Sequence, residues 1–136
     1  MEADWDERRR RAVEVHAEAL RRRTADEQER AARLVADFAR TATERGLPAE
    51  PLLARGFGGR ARYRTGLRGW YLKPDRSLAV GTDGEFYILS VPDSLVARVR
   101  GARLLPAHPG LTIGEGARDG ESLPLADLLA LRLSQG

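Results

Sequence analysis

The sequence has no cysteine, which excludes disulfides, thiolate zinc sites, iron–sulfur clusters and cysteine nucleophiles together and fits a cytoplasmic setting. Lysine is nearly absent as well. Of 23 basic residues only Lys73 is not arginine, a bias that, with heavy use of Ala, Gly and Leu, points to a high-GC bacterial genome. No run approaches the roughly 18 uncharged apolar residues that cross a bilayer. The opening Met1-Glu-Ala-Asp-Trp-Asp-Glu7 puts acids before its arginines and has no apolar stretch, unlike a secretory signal. No membrane association is therefore expected. Proline and glycine are missing between Trp5 and Arg45, so nothing in that stretch interrupts a helix.

What is present is a globular balance, 42% hydrophobic and 32% charged over 136 residues, enough for one domain spanning 1–136 but not for two. The charge is uneven. Residues 1–45 carry 11 acids and 11 arginines (net zero), 46–76 carry 2 acids and 7 bases (net +5), and 77–136 carry 7 acids and 5 bases (net −2). The basic excess sits in the middle of the chain.

Val13, Ala17, Leu20, Ala31, Leu34 and Phe38 occupy the seam of one unbroken heptad, interrupted only by Thr24 and Glu27. Thr24-Ala-Asp-Glu27 matches a capping box and would allow a break there, but the unchanged heptad phase favours a single helix over 5–45. Arg45-Gly46-Leu47-Pro48 ends it with a cation, a left-handed cap and a residue that cannot continue. Such a rod outruns a small body, so its seam is expected to pair with a second copy, with the two helices antiparallel. The six seam residues are thus the candidate homodimer interface.

Residues 46–59 read as a linker, with a helical turn at Pro51-Leu52-Leu53. Leu67 to Lys73, Leu78 to Val80 and Glu85 to Val91 are then short extended runs separated by Pro74-Asp75 and by Gly81-Thr-Asp-Gly84, a three-residue hairpin loop with Gly84 at φ > 0. In the last run Phe86 and Ile88 face one way and Tyr87, Leu89 and Val91 the other, so it should be covered on both sides. Ser94 to Arg100 suits either one helical turn through Leu95, Val96 and Val99 or an edge strand in which Ala97 and Val99 alternate with Arg98 and Arg100, the helix, ended by Gly101, being favoured; Ala102 to Leu105 and Leu111 to Ile113 suit further strands. Gly114 to Glu121 is loop by composition, and Ser122-Leu-Pro124 opens a final helix over 122–133 whose Leu125, Leu128, Leu129 and Leu133 share one face. The fold class predicted is α+β, with a long N-terminal helix, an antiparallel β-meander sheet of about four strands within 60–113, and a C-terminal helix packed on the sheet.

Candidate chemistry is sparse. The acid-first pairs Glu7/Arg11, Glu18/Arg22, Asp26/Arg30 and Glu29/Arg33 turn the arginine runs of the first helix into a self-paired surface rather than a nucleic-acid arm. The stretch from Arg55 to Trp70 differs: Arg55, Arg60, Arg62, Arg64 and Arg68 come without an acid and alternate with Phe57, Tyr63 and Trp70. Arginines tracking phosphates beside stacking aromatics would suit a nucleic acid or another polyanion; a strand with its aromatics in the core and its arginines facing water or the helix acids is the favoured reading. His16 and His108 lack ligand-spaced partners, Asp83/Glu85 and Asp119/Glu121 fit turn chemistry, and the glycine runs are too short to cradle phosphate. No nucleophile, base and orienter converge, and no metal or cofactor is implied. The expected role is a non-catalytic interaction or scaffold protein, dimeric through its first helix, with polyanion binding through residues 55–76 as the alternative.

Overall fold

The structure, a computed structural model, describes residues 2–113 and 123–136. Asp119, Glu121, Ser122 and the loop expected over Gly114 to Glu121 lie outside the described residues. The first element, α1, is one continuous helix over Glu2–Glu44. No break forms at Thr24, because its hydroxyl donates to the Leu20 carbonyl within the helix (3.0 Å) instead of capping a new one. Gly46 (φ 71°) closes the helix in a Schellman motif, with Leu47 N–H donating to the Ala42 carbonyl (2.9 Å) and Gly46 N–H to that of Thr43 (3.1 Å).

The expected linker is a strand. Residues Glu50–Gly56 form β1, antiparallel to β2 over Arg62–Tyr71. Leu52 and Ala54 point inward and are buried while Arg55 is exposed, so the Pro51-Leu53 segment follows the period of a strand rather than a helical turn. The register slips opposite Leu52, where β2 inserts Thr65-Gly66-Leu67; Gly66 (φ 73°) takes the left-handed conformation and the Thr65 hydroxyl donates to the Leu52 carbonyl (2.6 Å).

Two hairpins follow, β3 over Leu78–Gly81 pairing with β2 and β4 over Phe86–Ile88 pairing with β3, all antiparallel. The turn between β3 and β4 has Gly84 at φ 80°, as its sequence required. The next strand, β5 over Ser90–Val91, lies parallel to β1 at the other end of the order β4-β3-β2-β1-β5. Only Leu89 separates β4 from β5; its N–H donates to the Ser77 carbonyl (2.8 Å) and its carbonyl accepts from Arg55 N–H (2.9 Å). One extended run therefore lies between β3 and β1, and the sheet closes on itself like a small barrel whose interior is filled by side chains.

That closure makes two cores. Leu52, Tyr71, Ala79, Tyr87 and Leu89 fill the interior, joined by half-buried Leu67 and Leu104. Outside it, Trp70, Leu72, Val80 and Phe86 meet Ala31, Val35, Phe38, Ala39 and Ala42 of α1 and Leu125, Leu128 and Leu129 of α3, which spans Leu125–Gln135. Trp70 anchors this layer, donating from Nε1 to the Leu47 carbonyl (3.0 Å) and meeting the Phe38 ring edge-on at 5.9 Å. A short helix α2 over Leu95–Arg100 follows β5; it ends at Gly101 as expected, and the Ser94 hydroxyl caps its start by accepting from Ala97 N–H. Among the described residues, Ala102 to Leu105 forms no strand; only the two-residue pair β6 (Thr112–Ile113) and β7 (Leu123–Pro124) precedes α3. No described helix is long and apolar enough to cross a membrane.

Candidate functional site

Two surfaces stand out. The first is the leading part of α1. From Ala3 to Arg30 every residue is exposed except half-buried Ala17, and burial begins abruptly at Ala31. At 1.5 Å per residue the uncovered stretch is about 42 Å long. The six expected interface residues are thereby divided: Ala31 and Phe38 are buried and Leu34 half-buried in the chain's own core, so they are not free for a partner. Val13 (63% exposed), Ala17 and Leu20 (46%) remain, on the same face of the helix. Two of the four expected i, i+4 ion pairs form, Glu18–Arg22 at 3.1 Å and Glu29–Arg33 at 2.9 Å, both in solvent. Trp5, exposed and approached by the Arg9 guanidinium at 6.0 Å, and Val15 add apolar surface that the heptad did not single out.

The second surface is the outer wall of the barrel along β1 and β2, away from α1 and α3 and bordered by α2. Arg55 and Arg62 are directly opposed across β1 and β2, and Arg64 is opposed to Leu53, so strand alternation puts all three arginines outward. Opposed like charges are unfavourable, yet among the described residues none of the three has an ion-pair partner. Arg62 and Arg64 instead donate to backbone carbonyls, Arg62 to Gly59 and Ala61 and Arg64 to Val99. Arg60 sits in the adjoining turn, and Arg68, beyond the bulge, donates to the Ala49 carbonyl. Trp70 does not belong with them: at 2% exposure it is a core residue and cannot stack on a ligand. Tyr63 is equally buried, leaving Phe57 at the tip of the β1–β2 turn as the one exposed aromatic of that segment.

The glycine-rich turn from Gly56 to Gly59 already holds an anion of its own. The Asp93 carboxylate accepts from Gly58 N–H (2.8 Å) and from the Tyr63 hydroxyl (3.1 Å), and Tyr63 in turn accepts from Ser94 N–H (3.0 Å). A Cβ at Gly56 would overlap that carboxylate. Asp93 thus pins the turn to the segment leading into α2, a role that no local pattern revealed because 35 residues separate it from Gly58.

The remaining carboxylates serve their own turns. Asp83 accepts from Glu85 N–H (2.9 Å) and from the Tyr87 hydroxyl, whose pKa is raised by burial first and then by the neighbouring Asp83 and Glu85 charges. Partial burial pushes Asp75 upward, but hydrogen bonds from Ser77, with Lys73 and Arg55 nearby, bring its carboxyl below the usual value. A 410 Å³ cleft between α1 and the β3–β4 turn includes Ala32, Val35, Phe86 and His108 with Asp83 and Glu85. Asp83 is engaged in its turn, and among the described residues lining the cleft no nucleophile and base are aligned. His16 is exposed on α1, far from that cleft in sequence, and no group of three metal-ligating side chains occurs among the described residues. Leu95, Val96 and Val99 of α2 form an exposed apolar patch that the sequence did not single out. Comparison with protein-family models, curated proteins and solved structures finds no match for this chain.

Proposed function

We propose that this chain is a non-catalytic interaction protein that self-associates through the leading thirty residues of α1, leaving the barrel and its helices as a rigid body carried on the rod. The observation behind this reading is that Val13, Ala17 and Leu20 continue, in phase, the stripe by which Ala31 to Ala42 grip the body, but among the described residues none of the body packs over them. A helix this long does not persist in water on propensity alone; tertiary or quaternary packing supplies most of its stability. Light scattering at tens of micromolar tests the proposal. A particle of twice the 15.0 kDa chain mass is expected, and a 15.0 kDa particle would overturn it.

A second reading rests on the unpaired arginines of the outer wall. Arg55, Arg62 and Arg64, with Arg60 beside them, make a surface suited to the phosphates of a polyanion such as a nucleic acid. With Tyr63 and Trp70 buried, base stacking is not part of it. Heparin retention that falls steeply with salt, and loses most of that slope when Arg55, Arg62 and Arg64 are replaced by alanine, is the expected outcome. Salt-insensitive retention would remove this reading.

A further inference from the structure

Resting on the self-association reading, we infer that the uncovered part of α1 encodes one specific pairing: an antiparallel two-helix contact with a second copy of this chain, its two-fold axis between Glu18 and Ala19. Charge complementarity along the exposed heptad carries the inference. In an antiparallel pair each a position of one helix faces a d position of the other. Around this axis Ala17 faces the partner's Leu20, Val13 faces the partner's Thr24, and Arg10 faces the partner's Glu27, each contact occurring twice by symmetry.

The apolar centre is thus closed at both ends by an opposite-charge layer, and beside the seam Glu14 lies next to the partner's Arg21. The one like-charged neighbour is Arg9 with the partner's Arg30, at the solvent rim. The length fits too: the body begins at Ala31, and the residue level with Arg30 is the partner's Glu7, so the overlap uses the uncovered stretch and brings residues 2–6 to the edge of the partner's body.

The other registers are worse. A one-heptad slip in one direction sets Glu14 against the partner's Glu14 and Arg9 against the partner's Arg23. The opposite slip sets Arg21 against the partner's Arg21 and Arg23 against the partner's Arg23. A parallel, in-register pair makes Asp6, Arg10 and Glu27 each face their own copies in the seam. In the parallel pair the like charges are buried in the seam, and in the slipped registers they repel beside it, where the favoured register sets Glu14 next to the partner's Arg21.

Because the chain has no cysteine, single-cysteine variants report the geometry directly. Val13→Cys and Thr24→Cys chains are mixed and oxidised; both positions are exposed in the single chain and tolerate the change. The mixed disulfide is expected to dominate over either homodisulfide. Dominant homodisulfides in a particle of dimer mass would overturn the antiparallel register while leaving self-association standing. A monomeric particle would remove both.

A charge swap gives a second, independent readout. Arg10→Glu or Glu27→Arg alone is expected to weaken association about tenfold, and the double variant to return it to within about threefold of the starting chain. These two residues are too far apart on one helix to meet, so recovery can only be intermolecular. Failure of the double variant to recover, with helix content unchanged, would overturn the pairing.

Discussion

The two parts of α1 share a heptad phase, a mixture of arginine, glutamate and alanine, and a freedom from proline and glycine, yet they meet different surroundings. From Ala31 to Ala42 the stripe is buried against Trp70, Leu128 and their neighbours; from Ala3 to Arg30 it is open. An amphipathic pattern specifies that a face seeks cover, and the rest of the fold determines whether its own chain provides it. Of the 43 residues of α1, the described body packs against those from Ala31 onward.

The sharpest way to break the comparison is to cut matching residues in each part. Phe38→Ala removes a buried ring that meets Trp70 edge-on and should cost about 3–5 kcal/mol in denaturant unfolding. Val13→Ala should leave the single chain's stability within about 0.5 kcal/mol while weakening association. Equal losses of stability in both variants would show that the leading part is packed on its own body after all.

Smaller effects separate the turn that Asp93 holds from the wall around it. Asp93→Ala removes two hydrogen bonds and should cost about 1–2 kcal/mol. Gly56→Ala should also destabilise, since its methyl meets the same carboxylate, but should cost distinctly less in the Asp93→Ala background. Simple additivity would mean that the carboxylate does not set the turn. At the end of α1, Gly46→Ala forces a side chain into the left-handed region and should cost about 1 kcal/mol, measured by the same denaturation.

Tyr87 gives a pH-dependent test. Its pKa is raised in the fold, so its neutral form is favoured there. The contribution is fully present below the unfolded value near about 10 and is lost as pH rises through the higher folded value. Phenolate absorbance should show a component that resists ionisation until the alkaline unfolding transition. Tyr87→Phe should abolish that late component. The smallest effect expected is from removal of residues 1–23: the shortened chain should unfold within a few degrees of the intact one, because no body contact is lost, yet should fail to associate.

Much of this was legible locally. The cap at Gly46, the left-handed Gly84, the Ser94 and Gly101 ends of α2 and the Leu125/Leu128/Leu129 face all follow from interactions within a few residues. The strand β1 was not, because Pro51-Leu52-Leu53 carries too little alternation to distinguish a strand from a turn until Arg62 to Gly69 pairs beside it. Trp70 and Tyr63 admit two readings, since their spacing among arginines is that of a stacking surface and also that of a strand with an aromatic interior; the second, favoured from the sequence, is the one that holds. Only the closed sheet decides which side faces in.

The amino-acid sequence alone determined where the helix begins to repeat and where it must stop, how the hairpin after β3 turns, and that the charge of the middle segment is one-sided, since short-range sterics, propensity and composition act through the chain itself. The tertiary structure decided which apolar residues are buried, that Leu89 joins β3 to β1 and closes the barrel, and that Asp93 reaches back to Gly58. Those outcomes depend on contacts between residues far apart in the chain, whose benefit appears only once the elements between them have folded.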